Sequence, residues 1–407
     1  MDRNLMLKEK KTNIGASHAI SRRAFLGTSA ALVASSCTSV SPGGNGRTWI
    51  GYTEYKTNLP TRHANQITSR ACIVRDDGTK RRELAPQLIT KENTWTQFAG
   101  WSPDGNQAII GCGWEDPENA KWEEENRNFR MTEGWLFDMY LYDMASGDLK
   151  NMTEIERVSA YNGGLIFIPG SPPKLGFTAL INGISHPFVM DMDGRNKVDL
   201  SKGTKGFAYG FSASPDGKRV AYHQDYKIYV ADADGENPRL IETGNEFNFA
   251  PQWSPDGQWV MFVSGEHYNC HPCVARPDGS AFRKLADRQG YSGVMTVYDV
   301  FDFHGGSSDV PVWCLSGDSV YYTAKVGEAF ELMCVSLDGK IEQLTHSQPG
   351  VHHYHVKPAP NKQRIAFGST RDGRRQLYVA NLDASEAHAI TNVPEGSGAM
   401  WAHWQTP

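Results

Sequence analysis

The residues of this chain best suited to chemistry are histidines, and they are densest at His353-Tyr354-His355. Residues i and i+2 of a β-strand point to the same side, so both imidazoles are predicted to reach one cation. His304 and His271 are the expected further ligands. Imidazole-rich ligation suits Zn, Mn or a similar divalent ion, and Ca is the remaining candidate for the predicted metal. The alternative is a strand edge that carries two ordinary surface histidines.

The elements that position these histidines follow from a repeat. Trp101-Ser102-Pro103-Asp104-Gly105 recurs in part at residues 214–217 and in full at residues 253–257, each time between two apolar segments. Proline presets φ and glycine accepts positive φ, so each copy predicts a turn between antiparallel strands. A second marker closes the next hairpin in each unit, at residues 77–78, 147–148, 193–194, 234–235, 278–279, 338–339 and 382–383.

Seven second markers predict seven units, mostly about 40 to 50 residues apart. That is the period of a four-stranded propeller blade. The predicted fold is therefore all-β, a seven-bladed β-propeller that occupies residues 48–407 as a single domain. Because an open ring would expose two strand edges, Gly396 to Trp404 is predicted to pair beside Trp49 to Tyr55.

This repeat maps most of the histidines to one face of the ring. In each blade the loop entering the first strand and the loop joining the second and third strands share a face. His186, His223 and residues 267–273 are predicted to lie in loops that join the second and third strands. His304 is predicted to precede the first strand of blade six, and His353 to lie at the beginning of that of blade seven. The alternative is that these histidines only satisfy loop carbonyls. The residues predicted to contact a substrate on this face are Arg62, His63, Trp135, Tyr226 and Tyr354.

The N-terminal residues predict export. Paired Arg22-Arg23 and the apolar run from Phe25 to Ala34 resemble a twin-arginine signal over residues 1–37. The run is shorter than the roughly 20 residues of a membrane-spanning helix, and no later segment approaches that length. Cys37 is a candidate lipoprotein acceptor. The six cysteines that follow are scattered and are interpreted as buried free thiols, with a metal role considered only for Cys270 and Cys273.

Composition excludes some partners. The 41 basic and 46 acidic side chains give a net charge of −5, which leaves no positive excess for nucleic acid. With 40 glycines, 21 prolines and 39% apolar residues, the chain is too apolar for disorder and too rich in turns for a helical bundle. We expect a monomer.

The motifs resemble two groups of known propellers. The Trp-Ser-Pro-Asp-Gly repeat resembles that of TolB-like propellers over about residues 48–395. Residues 353–367, HYHVKPAPNKQRIAF, resemble the last blade of the oligogalacturonate lyases, whose His-x-His pair helps bind a manganese-type ion. Residues 49–60 and 267–273 are more similar to the propeller ulvan lyases. This chain has Gly350 where the oligogalacturonate lyases have a glutamine, and Gln224 lies where the ulvan lyases have an arginine.

The resemblance implies a secreted polysaccharide lyase that cleaves an acidic, uronate-containing polysaccharide or oligosaccharide by metal-assisted β-elimination. Such a reaction needs a base, an acid, and a cation or donors for the carboxylate. His186 and His223 are the candidate bases, and Tyr209 is the candidate acid or base, with an ordinary channel-lining aromatic as its alternative. No Gly-x-Ser-x-Gly elbow indicates a hydrolase. The competing hypothesis is a non-catalytic TolB-like propeller that binds carbohydrate or protein.

Overall fold

A computed structural model describes residues 48–58, 68–126, 135–154, 164–181, 184–201, 208–293 and 309–407. These residues form seven four-stranded antiparallel sheets, so the predicted seven-bladed β-propeller is confirmed. The export segment, Arg62, His63 and His304 lie outside the described residues, as do the side chains of Trp135 and Tyr209. The predicted limits of the single domain therefore stay a prediction.

The strands follow the repeat in order. Blade one contains β1 (Trp49–Lys56), β2 (Ser69–Arg75) and β3 (Arg82–Glu83). Blade two contains β4 (Thr94–Trp101), β5 (Gln107–Glu115), β6 (Trp135–Asp143) and β7 (Leu149–Asn151). Blade three contains β8 (Ile166–Ile168), β9 (Lys174–Ile181), β10 (Ile184–Asp191) and β11 (Val198–Asp199). Blades four and five contain β12 (Ala208–Ala213), β13 (Arg219–Gln224), β14 (Lys227–Asp232), β15 (Arg239–Ile241); and β16 (Phe247–Trp253), β17 (Val260–Glu266), β18 (Asn269–Ala275), β19 (Arg283–Lys284).

Blades six and seven contain β20 (Val312–Trp313), β21 (Ser319–Val326), β22 (Ala329–Ser336), β23 (Ile341–Gln343); and β24 (His353–Pro358), β25 (Arg364–Ser369), β26 (Gln376–Asn381), β27 (His388–Ala389). The C-terminal strand β28 (Ser397–Trp404) pairs with β1 and takes the first position in the sheet of blade one. A 3₁₀ turn spans Pro86–Leu88, and the helix α1 (Pro117–Asn126) fills the insertion between β5 and β6. No described helix has the length and apolar character needed to cross a bilayer.

The ring closes through its two ends, as predicted. Strand β28 pairs antiparallel with β1, from Ile50 opposite Trp404 to Lys56 opposite Ser397. Trp404 is 7% exposed and donates its indole N–H to the Lys357 carbonyl of blade seven at 3.0 Å. The last strand therefore completes blade one and also binds it to its neighbour.

The Ser-Pro-Asp-Gly turns repeat the same hydrogen bonds. In blade five the Ser254 hydroxyl donates to Asp256 at 2.5 Å and accepts the Trp259 N–H at 2.9 Å. Gly257 has φ +68° and donates its N–H to the Ser254 carbonyl, which is the conformation that glycine supplies in such a turn. The turns at residues 102–105 and 214–217 form equivalent bonds.

A β-bulge interrupts the first strand of several blades. In β24 two residues, His355 and Val356, face one residue of β25, and His355 has φ +51°. Equivalent register shifts occur in β12, β16 and β28, where Gly210, Ala250 and Trp401 have positive φ. A bulge breaks strand alternation. The prediction that His353 and His355 face one side assumed a regular strand, and β24 is not regular at His355.

The core lies within and between the blades, and the cysteines pack in it as free thiols. Cys72, Cys270, Cys273 and Cys314 are buried, and Cys112 and Cys334 are half-buried. Burial raises the pKa of the Cys270 and Cys273 thiols to about 12. The prediction of free rather than disulfide-bonded cysteines is confirmed for these six.

Candidate functional site

Three histidines that the sequence predicts in loops belong to strands instead. His186 lies in β10, His223 in β13 and His271 in β18. In blade five only His267 and Tyr268 separate β17 from β18. The predicted loops were too long because the hairpins are tight, so these side chains take strand orientations and are buried.

At one end of the channel, polar groups of blades five to seven converge on Asp309. Tyr291 donates its hydroxyl to one Asp309 carboxylate oxygen at 2.9 Å, and the His355 backbone N–H donates to the other at 2.9 Å. Arg288 donates from Nη2 to the Asp309 carbonyl at 2.7 Å. His352 Nε2 lies 3.2 Å from the Tyr291 hydroxyl. We call these five residues the Asp309 cluster.

Sequence reasoning missed three members of this cluster. Arg288, Tyr291 and Asp309 lie between β19 and β20, outside any strand period or turn marker. Asp309 and Tyr291 are each 3% exposed and Arg288 is fully buried. An arginine, a tyrosine and an aspartate in the connection between β19 and β20 are a weak sequence signal, because only the fold reveals that they are buried.

Burial sets the protonation states of the Asp309 cluster. Burial lowers the pKa of His352 to about 4; Asp309 opposes this shift, and Arg375 and His355 add to it. Burial, together with the Asp309 charge, raises the pKa of Tyr291 well above its usual value. At neutral pH the cluster therefore holds a neutral imidazole beside a protonated phenol. This pairing can accept one proton and donate another.

His353 and His355 contact different neighbours. The His353 ring is fully buried, lies 2.8 Å from the Ser347 hydroxyl and 3.5 Å from Glu331, and packs against Phe367. The His355 ring instead packs against Tyr354 and Trp401, at centroid distances of 5.2 and 5.8 Å.

His271 is held by the segment that leads into the Asp309 cluster. Its Nδ1 accepts the Arg288 backbone N–H at 3.2 Å, and its Nε2 lies 3.5 Å from Asp287. Across the described ranges, no three His, Cys, Asp or Glu side chains are grouped so as to hold a metal ion. The described members of the predicted ligand set, His271, His353 and His355, therefore do not form a three-residue metal group by themselves, and His304 lies outside the described residues.

The predicted catalytic histidines have structural partners. His186 Nδ1 lies 2.9 Å from Asp199 and 2.7 Å from the Ser201 hydroxyl. His223 is fully buried and packs edge-on against Phe249, and a Cβ at Gly210 would lie 2.8 Å from its Nδ1. Tyr209 pairs with His223 across β12 and β13. Both imidazoles are thus enclosed, with His186 oriented by a carboxylate.

Tyr354, predicted to contact substrate, is a core residue. It is fully buried and donates its hydroxyl to the Ala399 carbonyl of blade one at 3.0 Å. Its ring covers Gly368, where a Cβ would lie 2.0 Å away. The prediction disagrees with the structure because the residue faces the neighbouring strands rather than solvent.

An aromatic stack rises to the surface between blades four and five. Tyr226 packs on Phe247 and Phe249 at 4.9 and 5.3 Å, Phe247 stacks on His267 at 4.9 Å, and His267 stacks on Tyr268 at 4.2 Å. Tyr268 is 39% exposed. Of this group the sequence analysis identified Tyr226 as a contact residue. The stack presents flat apolar faces beside the histidine end of the channel, a surface suited to sugar rings.

Comparison with known proteins shows the fold and no closer relationship. No protein-family model matches the chain. A Tol-Pal system protein TolB of Thioalkalivibrio sulfidiphilus is 39% identical over 80 residues, which is 18% of this chain and 18% of that protein. The alignment thus spans about a fifth of this curated relative.

Two solved propellers share the fold over most of the chain. A manganese-bound oligogalacturonate lyase is 13% identical with a TM-score of 0.53, and one from Vibrio parahaemolyticus is 14% identical with a TM-score of 0.52. Each alignment covers 84% of this chain and 88% of the lyase. This chain is therefore a β-propeller with TolB-like sequence features, and its structural neighbours include enzymes.

Proposed function

We propose that this protein is a polysaccharide lyase that cleaves a uronate-containing polysaccharide or oligosaccharide by β-elimination. The observation that carries the proposal is the Asp309 cluster, where a neutral imidazole, a phenol and a carboxylate meet at one end of the propeller channel. The aromatic stack beside it supports binding of a sugar chain. The oligogalacturonate lyases supply the analogy of fold.

In this proposal His352 accepts the proton from the carbon next to the uronate carboxylate. The Tyr291 hydroxyl gives its proton to the leaving glycosidic oxygen, a double bond forms as the C–O bond breaks, and His352 then returns its proton to Tyr291 across their 3.2 Å contact. Asp309 fixes the Tyr291 hydroxyl. Arg288, whose Nε and Nη1 have no hydrogen-bond partner within the described part of the chain, supplies positive charge as the phenolate forms.

His186, His223 and Tyr209 form the second proposed catalytic set. Asp199 orients His186 as a base requires, whereas His223 is enclosed beneath the β12 bulge. The two sets make different predictions, because replacing His223 alone leaves the Asp309 cluster intact.

Incubation with a panel of uronate polysaccharides tests the function, with the ultraviolet absorbance of the unsaturated product as the readout. We expect product from the wild-type protein and from His346→Ala, which replaces an exposed histidine. We expect loss of product from His352→Ala. If no polymer in the panel yields product, the lyase proposal fails.

A non-catalytic binding propeller is the second candidate, and the aromatic stack is the observation that favours it. Such a protein would retain uronate polymers without producing unsaturated ends. Tyr268→Ala should then weaken retention, whereas His352→Ala should leave it unchanged.

A bound divalent ion and export are proposed on the sequence alone. Among the described residues no three His, Cys, Asp or Glu side chains form a metal group, and the proton transfers above are assigned to the chain's own side chains. Elemental analysis of the purified protein decides whether His304 completes a site with His271, His353 or His355. Replacing Arg22 and Arg23 with lysine should retain the precursor in the cytoplasm, and normal export of that variant would exclude the twin-arginine interpretation.

A further inference from the structure

A cavity of about 500 Å³ opens at the end of the channel opposite the Asp309 cluster. The last residues of the first strands of blades three to seven line it, beside the Ser-Pro-Asp-Gly turns. Its walls include Phe167, Trp253, Val312 and Trp313. The volume lies within the range of small-molecule sites, which are mostly apolar with a few polar groups.

Indole hydrogen bonds between blades fix this wall. Trp313 donates to the Gln252 carbonyl at 3.2 Å, Trp404 to the Lys357 carbonyl at 3.0 Å and Trp101 to the His403 carbonyl at 2.9 Å. In each pair the acceptor is the next-to-last residue of a blade's first strand: Gln252 in β16, Lys357 in β24 and His403 in β28. These bonds hold the backbone of Lys357 and Gln252, two of the residues that line the cavity.

Trp253 departs from this pattern. It is 8% exposed, and its indole N–H has no partner within the described part of the chain. The Arg219 guanidinium lies 4.7 Å from the centre of its ring. A buried donor of this kind can be satisfied by a bound water or by a ligand.

Lys357 gives the cavity its charge. It is the sole ionisable side chain among the described lining residues, and it forms no ion pair with any described residue. Burial lowers the pKa of its ammonium, whereas the Asp309 carboxylate favours the charged form. The adjacent His403 is neutral, because burial, Lys357 and His355 lower its pKa to about 3.

We propose that this cavity is a second ligand site, which binds a small organic anion with an apolar body. The acid group would pair with Lys357, and the body would lie against Trp253 and Trp313. The site is distinct from the proposed lyase site, because its lining residues lie at the other end of the first strands, although the Asp309 charge acts on Lys357.

Two fluorescent probes of nearly the same shape test this site: the anion 8-anilinonaphthalene-1-sulfonate and the uncharged N-phenyl-1-naphthylamine. The wild-type protein should bind the anion saturably at one site. Lys357→Met keeps the apolar stem and removes the charge, so it should weaken binding of the anion about tenfold. Binding of the uncharged probe should change less than twofold.

Lys362→Met is the matched control, since Lys362 is an exposed lysine in the turn after the same strand. It should bind both probes like the wild-type protein. Ala213→Phe should fill the cavity and weaken both probes, which keeps the proposal testable if Lys357→Met does not fold. Circular dichroism establishes that each variant is folded.

Equal affinity of the anion for the Lys357→Met and Lys362→Met proteins would overturn the proposal, as would the absence of saturable binding to the wild-type protein. Neither outcome affects the lyase proposal, because no uronate is present in the experiment.

Discussion

The two ends of the propeller channel are built in different ways. At one end the Ser-Pro-Asp-Gly turns repeat the same hydrogen bonds, with serine hydroxyl to aspartate distances of 2.6, 2.6 and 2.5 Å in blades two, four and five. At the other end the connections that enter the blades differ in length, and three members of the Asp309 cluster, Arg288, Tyr291 and Asp309, lie in the connection between β19 and β20. The repeated turns stabilise the blades, whereas the irregular end holds most of the polar groups capable of chemistry.

The difference shows why the repeat predicted the fold better than the site. A repeated turn must meet the same steric requirement in every blade, so its residues recur. A functional group needs to occur only once, at a place that several blades bring together. The cavity at the repeated end is itself an exception to the repeat, because Lys357 is the one ionisable residue among its described lining residues.

The largest expected effect comes from removing the strand that spans both ends. Deleting residues 396–407 removes β28 and exposes an edge of β1. Since Ala399, Met400, Ala402 and Trp404 are buried, we expect loss of cooperative folding. Thermal unfolding followed by circular dichroism checks this, and an unchanged melting curve would contradict closure through the ends.

The next effect is confined to the irregular end. If the protein is a lyase, His352→Ala should lower activity about 10²–10⁴-fold, the usual contribution of a positioned base, with little change in melting temperature. His223→Ala should retain activity if the Asp309 cluster is the site. If His223→Ala loses activity by this factor and His352→Ala does not, the catalytic residues are those around His223 in blade four.

Buried neutral histidines predict the pH dependence of stability. The pKa of His352 is lowered to about 4 and that of His403 to about 3, so between these values and about 6.5 the unfolded chain binds more protons. The free energy of unfolding should therefore fall as pH falls below about 6.5, by up to about 1.4 kcal/mol per pH unit for each histidine.

Urea unfolding between about pH 6.5 and about pH 5.5 measures this slope above the range in which most carboxylates titrate. His403→Leu should reduce the slope, and His346→Ala, at an exposed position, should not. A slope that is the same in all three proteins would show that His403 is not the titrating group.

The smallest effect belongs to a single repeated turn. Ser254→Ala removes the hydroxyl bond to Asp256 and the acceptor for the Trp259 N–H, which should cost about 1 kcal/mol. Ser280→Ala removes a similar bond to Asp278 at an exposed turn and should cost less. Equal losses would show that the partial burial of the first turn adds nothing.

The sequence by itself determined the number of blades, the turn geometry and the closure by the C-terminal strand. Turn residues and strand periods are local properties, since proline and glycine restrict φ wherever they occur. The sequence also separated free thiols from a disulfide framework, because the chain is large enough to need no cross-links.

The tertiary structure alone decided which side chains meet. The bulge at His355 breaks the strand alternation on which the i, i+2 argument for His353 and His355 depended. Tyr354 is fully buried, so it does not lie on the surface where a substrate was predicted to bind. The Asp309 cluster joins residues of blades five, six and seven that are far apart along the chain. Contacts of this kind depend on how neighbouring blades pack, and no local pattern in the sequence records that packing.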